Sequence, residues 1–214
     1  MGPPCPNSPA RRHPKPGQQQ RGWRKRRRHQ QLGIASRRQQ PVSNNTADGF
    51  GGGIINHGSG TLDVTDSPIS GNTADFFGGG ITNSAVLTLD QITIDGNTAG
   101  YYGGGINNWG GGGVEIINNS AITGNTPVGK PIGFGGGINN GGTLNLTDSV
   151  VSGNNAFVGG GIRNRGTMAL TRTTVTGNTA EVHGGGIDNH GNITLVESDV
   201  SGHTALTDPD CFGC

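Results

Sequence analysis

The chain has 214 residues, 43 of them glycine, with 29% hydrophobic and 14% charged residues and a formal net charge of +1. That composition excludes an ordinary globular core, and glycine without a strict three-residue period excludes collagen. The near-neutral total conceals a split: residues 1–40 hold eleven of the fifteen Lys and Arg and no acid, while the remainder sets four bases against all fourteen acids.

The leader, residues 1–42, contains almost no aliphatic side chains and is expected to be disordered. No apolar run follows its charges, so it does not read as a signal peptide. Its cluster "RGWRKRRRH" suits an arm for nucleic acid or an anionic surface. The abrupt change near Pro41, where the repeat enters mid-unit, favours instead a segment foreign to the native protein, from a frameshift or misplaced start.

From residue 43 to 205 the chain repeats. The block GGGI starts at Gly51, Gly78, Gly103, Gly135, Gly159 and Gly184, at spacings of 27, 25, 32, 24 and 25 residues, which is the signature of a solenoid. An Asn-rich block precedes each copy, ending at Ala47, Ala74, Ala99, Pro127, Ala156 and Ala180, with a seventh ending at Ala205. Between them lie segments such as "TLDVTDSPI" and "TLNLTDSVV", apolar at every second position, the period of a strand with one buried face.

Two residues after each isoleucine of GGGI stands an asparagine: Asn56, Asn83, Asn108, Asn140, Asn164 and Asn189. Residues two apart in a strand share a face, so these amides point inward with the isoleucines. A buried amide is costly unless satisfied, and identical amides stacked one coil apart satisfy one another as a ladder. The reading is an all-β fold, a parallel β-helix of about six coils, each with three short strands. The glycines mark a bend that requires positive φ or leaves no room for a Cβ.

Stacking the copies brings Asp148, Arg172 and Glu197 into one column and sets Arg163 beside Asp188, pairing opposite charges in both registers. The third coil, "NNWGGGGVEIINNSAI", is offset by one residue in its strand, and Pro127–Phe134 is expected to leave the coil as a loop. The tail, residues 206–214, "LTDPDCFGC", carries one CxxC; without a second pair it is a weak zinc signal, and a terminal disulfide or two idle thiols fit it better.

GGGI-x-N followed by an alternating strand and SGNTA resembles the repeats of bacterial right-handed parallel β-helix proteins. It is similar in particular to the GG-[AI] and asparagine repeats of the chlamydial polymorphic outer membrane proteins. The resemblance covers about residues 43–205. It implies a right-handed β-helix on an extracellular or outer-membrane surface, often adhesin-like, without an agreed catalytic set. It also implies a fragment of a longer protein whose tail begins the next segment, with any membrane association made through regions outside this chain. A surface glycan or a protein of a host or neighbouring cell is the implied partner; the oligomeric state is left open.

Polysaccharide cleavage needs paired carboxylates, and no two neighbouring coils present acids in one alignable column; Glu197 and Asp199 come nearest. No catalytic residue, no metal site, no cofactor and no nucleic-acid contact through the β-helix is therefore expected. The histidines His57, His183, His190 and His203 occupy stations without ligand spacing, and the calcium-binding GGxGxDx pattern fails. Outward threonines are too interrupted for an ice-binding array. The residue before each glycine run is Phe50, Phe77, Tyr102 or Phe134 in four coils, a column for either structural stacking or sugar binding. A non-enzymatic surface rod is the favoured function, with carbohydrate binding or polysaccharide cleavage as the alternative.

Overall fold

A computed structural model describes residues 29–31, 34–38, 41–110 and 114–214. They form a parallel β-solenoid of about seven turns, one more than the sequence suggested, with no helix. His29–Gln31 and Ile34–Arg38 of the leader pair in parallel with Ile54–Asn56 and Thr61–Thr65. Val42, at the end of the leader, is buried and pairs with Ile69, so the expected disorder does not hold at these positions; over residues 1–28, 32–33 and 39–40 that expectation lies outside the described residues.

Each full coil contributes strands to four stations, not three. The isoleucine strands, such as Ile81–Asn83, stack in an eight-stranded sheet. Long strands such as Val86–Asp90 form a seven-stranded sheet, and short ones such as Thr93–Asp95 form another. Two-residue strands such as Thr98–Ala99 complete the coil. The extra strand arises because the alternating segment breaks at a left-handed corner, occupied by Asp66, Gln91, Asn119, Asp148, Arg172 and Glu197 at φ between 46° and 53°. None is glycine, so composition gave no sign of the corner.

The inward residues are those the alternation indicated. The isoleucine column (Ile54, Ile81, Ile106, Ile138, Ile162, Ile187) is buried throughout, with Leu87, Leu89, Ile94 and their counterparts closing the tube. At the bend the three glycines answer to different constraints. Gly78 has φ +63°, whereas a Cβ on Gly79 would lie 2.4 Å from the Gly104 carbonyl oxygen.

The third coil stays in register, Val114–Asn118 pairing residue for residue with Val86–Asp90 and Thr143–Thr147. That register sets Glu115 in the backbone row of Leu87 and Leu144. Val128, Lys130 and Ile132 leave the coil as a loop, and Lys130 pairs with Glu181 two coils on. The tail continues the isoleucine track: Cys211–Phe212 pairs with Ile187 and Asp188, and Asp208, at φ 47°, takes the station of the first glycine.

Both buried amide columns are ladders. Along the first, each Nδ2 donates to the Oδ1 of the following coil, at 2.9 Å from Asn56 to Asn83 and 2.7 Å from Asn164 to Asn189. Asn189 Nδ2 ends the run on the Gly213 carbonyl at 2.8 Å. The second, which the sequence reading missed, runs from Asn45 through Asn72, Asn97, Asn125 and Asn154 to Asn178. Here each acceptor takes two bonds: Asn125 Oδ1 accepts from both the backbone N–H and the Nδ2 of Asn97, at 2.9 Å each. Asn125 Nδ2 donates to the Ile94 carbonyl at 2.9 Å and to Asn154 Oδ1 at 3.0 Å.

Removing one rung strands groups on both sides, and a buried unsatisfied polar group costs about 1–3 kcal/mol. Asn125→Ala is therefore expected to lower stability by about 3 kcal/mol or more, well beyond Ile122→Val at about 1 kcal/mol. Urea unfolding followed by circular dichroism measures both.

His203 ends the second ladder as an imidazole. Its Nδ1 accepts from the Asn178 N–H at 3.1 Å, so its Nε2–H donates to the Val175 carbonyl at 2.9 Å, which requires the neutral ring. Burial lowers its pKa below the ordinary imidazole value, against the opposing effects of the Val175 carbonyl, Asp210 and Asp199. A lowered folded-state pKa means stability that is complete above the unfolded imidazole range and is withdrawn as pH falls through it toward the folded value. Hydrogen-exchange protection in the last coil, taken relative to the intrinsic amide rate at each pH, is expected to fall on acidification below about pH 6.5, and His203→Asn, which restores the amide, to flatten that dependence.

Candidate functional site

Between the isoleucine and the ladder asparagine of each coil lies one residue pointing away from the core: Ile55, Thr82, Asn107, Asn139, Arg163 and Asp188 in successive coils. Alternation marks this column as exposed, yet all but Asn139 are buried. The cover comes from the residues ahead of the glycine runs. The chain turns back at the bend, and their side chains lie over this outward column.

Phe50, Phe77, Tyr102 and Phe134 stack as expected. Their centroids are 5.2, 4.8 and 5.5 Å apart, with interplanar angles of 29°, 9° and 29°. Rings stacked this way spend their faces on one another and turn their edges outward. The free face of Phe134 is taken by Arg163, whose guanidinium carbon sits 3.9 Å from the ring centroid.

A second pair, Phe76 and Tyr101, stacks alongside at 5.9 Å and 16°. Trp109 stands nearly perpendicular to the column, at 78° to Phe50 and 73° to Phe77. The sequence reading passed over these three. Phe76 and Tyr101 were legible as neighbours of the column, but Trp109 occurs once and periodicity is silent on it. Its backbone N–H is fixed to the Asn83 carbonyl at 2.8 Å, and its ring reaches back toward coils one and two. A groove of about 160 Å³ lies between Trp109 and the edges of Phe77 and Tyr102, with Asn107 and Asn139 on its floor.

Farther along, the column becomes ionic. Asp188 is 0% exposed, with Arg163 Nε 3.3 Å from its Oδ2 and His183 Nδ1 and His190 Nε2 at 3.3 and 3.0 Å from Oδ1. Phe212 from the tail covers both imidazoles, at centroid distances of 4.7 and 5.3 Å. Burial pushes the Arg163 guanidinium below its ordinary pKa; Arg165 adds to the shift and Asp188 opposes it. Arg163 thus lies beside Asp188 as stacking of the copies predicts, but buried and not on the surface.

The other predicted pair is exposed. Arg172 grips Asp148 through two bonds of 2.7 Å, which hold the Asp148 carboxyl below its usual range. Glu197 occupies the next corner of that column, and Asp199 accepts from Ser201 Oγ at 2.8 Å. His57 follows the first ladder asparagine and lies in another coil from His183, His190 and His203. Among the described residues no three His, Cys, Asp or Glu side chains are grouped to hold a metal ion. Cys211 and Cys214 form a disulfide.

Stacked coils, two amide ladders and an aromatic flank define the class: a parallel β-helix with its side-chain chemistry on one outer edge. The chain matches no protein-family model, no curated protein and no solved structure. The likeness to polymorphic outer membrane protein repeats accordingly rests on the motifs alone.

Removing one partner of a buried pair leaves an uncompensated charge and costs about 3–5 kcal/mol. Arg163→Met is expected to lower stability by about that much, while Arg172→Met leaves the urea midpoint nearly unchanged because its pair is open to solvent. Equal effects in urea unfolding would contradict this division.

Proposed function

We propose that the chain is a non-enzymatic, adhesin-like rod displayed outside the cell, with its binding face along the flank beside the isoleucine sheet. The observation that carries this reading is the crowding of seven aromatic side chains onto that flank, with Phe50, Phe76 and Trp109 37%, 43% and 43% exposed. Aromatic surface left open in one patch marks an interaction site. The Cys211–Cys214 disulfide supports an oxidising compartment. A non-enzymatic role is supported by the engagement of Asp148 and Asp188 in pairs with arginine.

Whole fixed cells, bacterial and animal, serve as the probe. The full chain is expected to adhere saturably to at least one cell type, and Phe76→Ser with Trp109→Ser to remove most of the binding. The chain is expected to release no reducing ends from polygalacturonate. Absence of adherence, adherence untouched by the double variant, or depolymerisation would each defeat the reading.

A further inference from the structure

We propose that the groove between Trp109 and the Phe77–Tyr102 edges is a binding site for one neutral pyranose ring of a glycan. This rests on the display function above and names the ligand class of its binding face. The stacked column itself is a poor platform, since its ring faces are already in use. Trp109 differs: it stands across the stack and remains 43% exposed. Its indole offers an apolar wall for the C–H face of a sugar, and the ring edges opposite supply a second wall.

The floor supplies the polar contacts. Asn139 Nδ2 donates to Asn107 Oδ1 at 2.8 Å, which orients both amides. Among the described residues this bond leaves Asn107 Nδ2 and Asn139 Oδ1 without a partner in the chain, and Asn107 is only 3% exposed. One fixed donor beside one fixed acceptor matches neighbouring hydroxyls, each of which can accept and donate. A nearly buried amide with an open donor gains from such a ligand what it lacks from protein.

Charge selects among sugars. Among the described residues no charged side chain lines the groove, so a carboxylate or sulfate entering it would lose water without gaining a counter-charge. A volume near 160 Å³ suits one ring, with the rest of a chain running out over the flank.

The test uses the full chain carrying Trp23→Phe, which leaves Trp109 as the sole tryptophan of the two. The probes are mannohexaose, cellohexaose and galactohexaose, with hexagalacturonate as the anionic arm. At least one neutral hexasaccharide is expected to shift Trp109 emission saturably, and hexagalacturonate to leave it unchanged. Asn139→Ala is expected to weaken binding by roughly fivefold or more, the equivalent of one hydrogen bond, and Trp109→Ala to abolish it by calorimetry.

Far-UV circular dichroism checks folding; if Trp109→Ala misfolds, Asn139→Ala, at a half-exposed position, carries the test. No saturable neutral binding, binding indifferent to Asn139→Ala, or preference for hexagalacturonate overturns the assignment. Cell adherence that persists without sugar binding would sink the groove site and leave the display function standing.

Discussion

A carboxamide has two donor hydrogens and an oxygen with two lone pairs, and this molecule depends on stacking such groups so that each coil completes the bonding of its neighbour. An amide buried in one isolated coil would be a liability. Repeated at the height of a strand spacing, it becomes a rung, and each rung also ties side chain to backbone, as Asn97 Nδ2 does to the Ile69 carbonyl at 2.9 Å. Two ladders at different bends fix the rotation of each coil about the axis as well as its height. A core of four or five small aliphatics per coil, which alone could not order some 25 residues, then suffices because the polar bends are bonded as fully as the strands.

The ends show the same logic at its limit. Asn56 Oδ1, the first acceptor of its ladder, is buried and bonds to nothing among the described residues, whereas Asn189 finds the Gly213 carbonyl. At the other ladder His203 takes the place of the seventh asparagine. A neutral imidazole reproduces the accepting and donating edges of an amide, but only in one tautomer. The tail follows the glycine track with Asp208, Pro209 and Asp210 where the repeats have three glycines, and covers Ile187 with Cys211.

The class of fold was legible because it is written six times: GGGI-x-N alone indicates an inward isoleucine, an inward amide and a bend. The second ladder was equally repeated, yet it sits beside a two-residue strand too short to show alternation, so its facing could not be deduced. The fourth strand was hidden because a left-handed corner held by Asp, Gln, Asn, Arg or Glu has no sequence mark. The expected columns Asp148–Arg172 and Arg163–Asp188 were correct in register, but the burial of the second depends on rings folding over it from the preceding bend. The groove was illegible for a different reason: no other repeat carries a tryptophan, and a contact that crosses coils against the chain direction leaves no periodic trace.

Where the fold is secured by ladders, other positions are released from that duty. The outward column shows this: at one backbone station the chain accepts Ile55, Thr82, Asn107, Asn139, Arg163 and Asp188, apolar, polar, cationic and anionic in turn, with strand pairing unchanged. Each substitution changes what the overlying ring must tolerate, from aromatic stacking to the cation–π contact at Phe134 to imidazoles around a carboxylate. The flank is therefore graded from apolar to ionic along the axis while the tube beneath it stays uniform. In such a molecule the surface chemistry can be rewritten coil by coil, and the middle coils, where two amides meet a tryptophan set across the stack, are where that freedom leaves both polar and apolar groups open to a ligand.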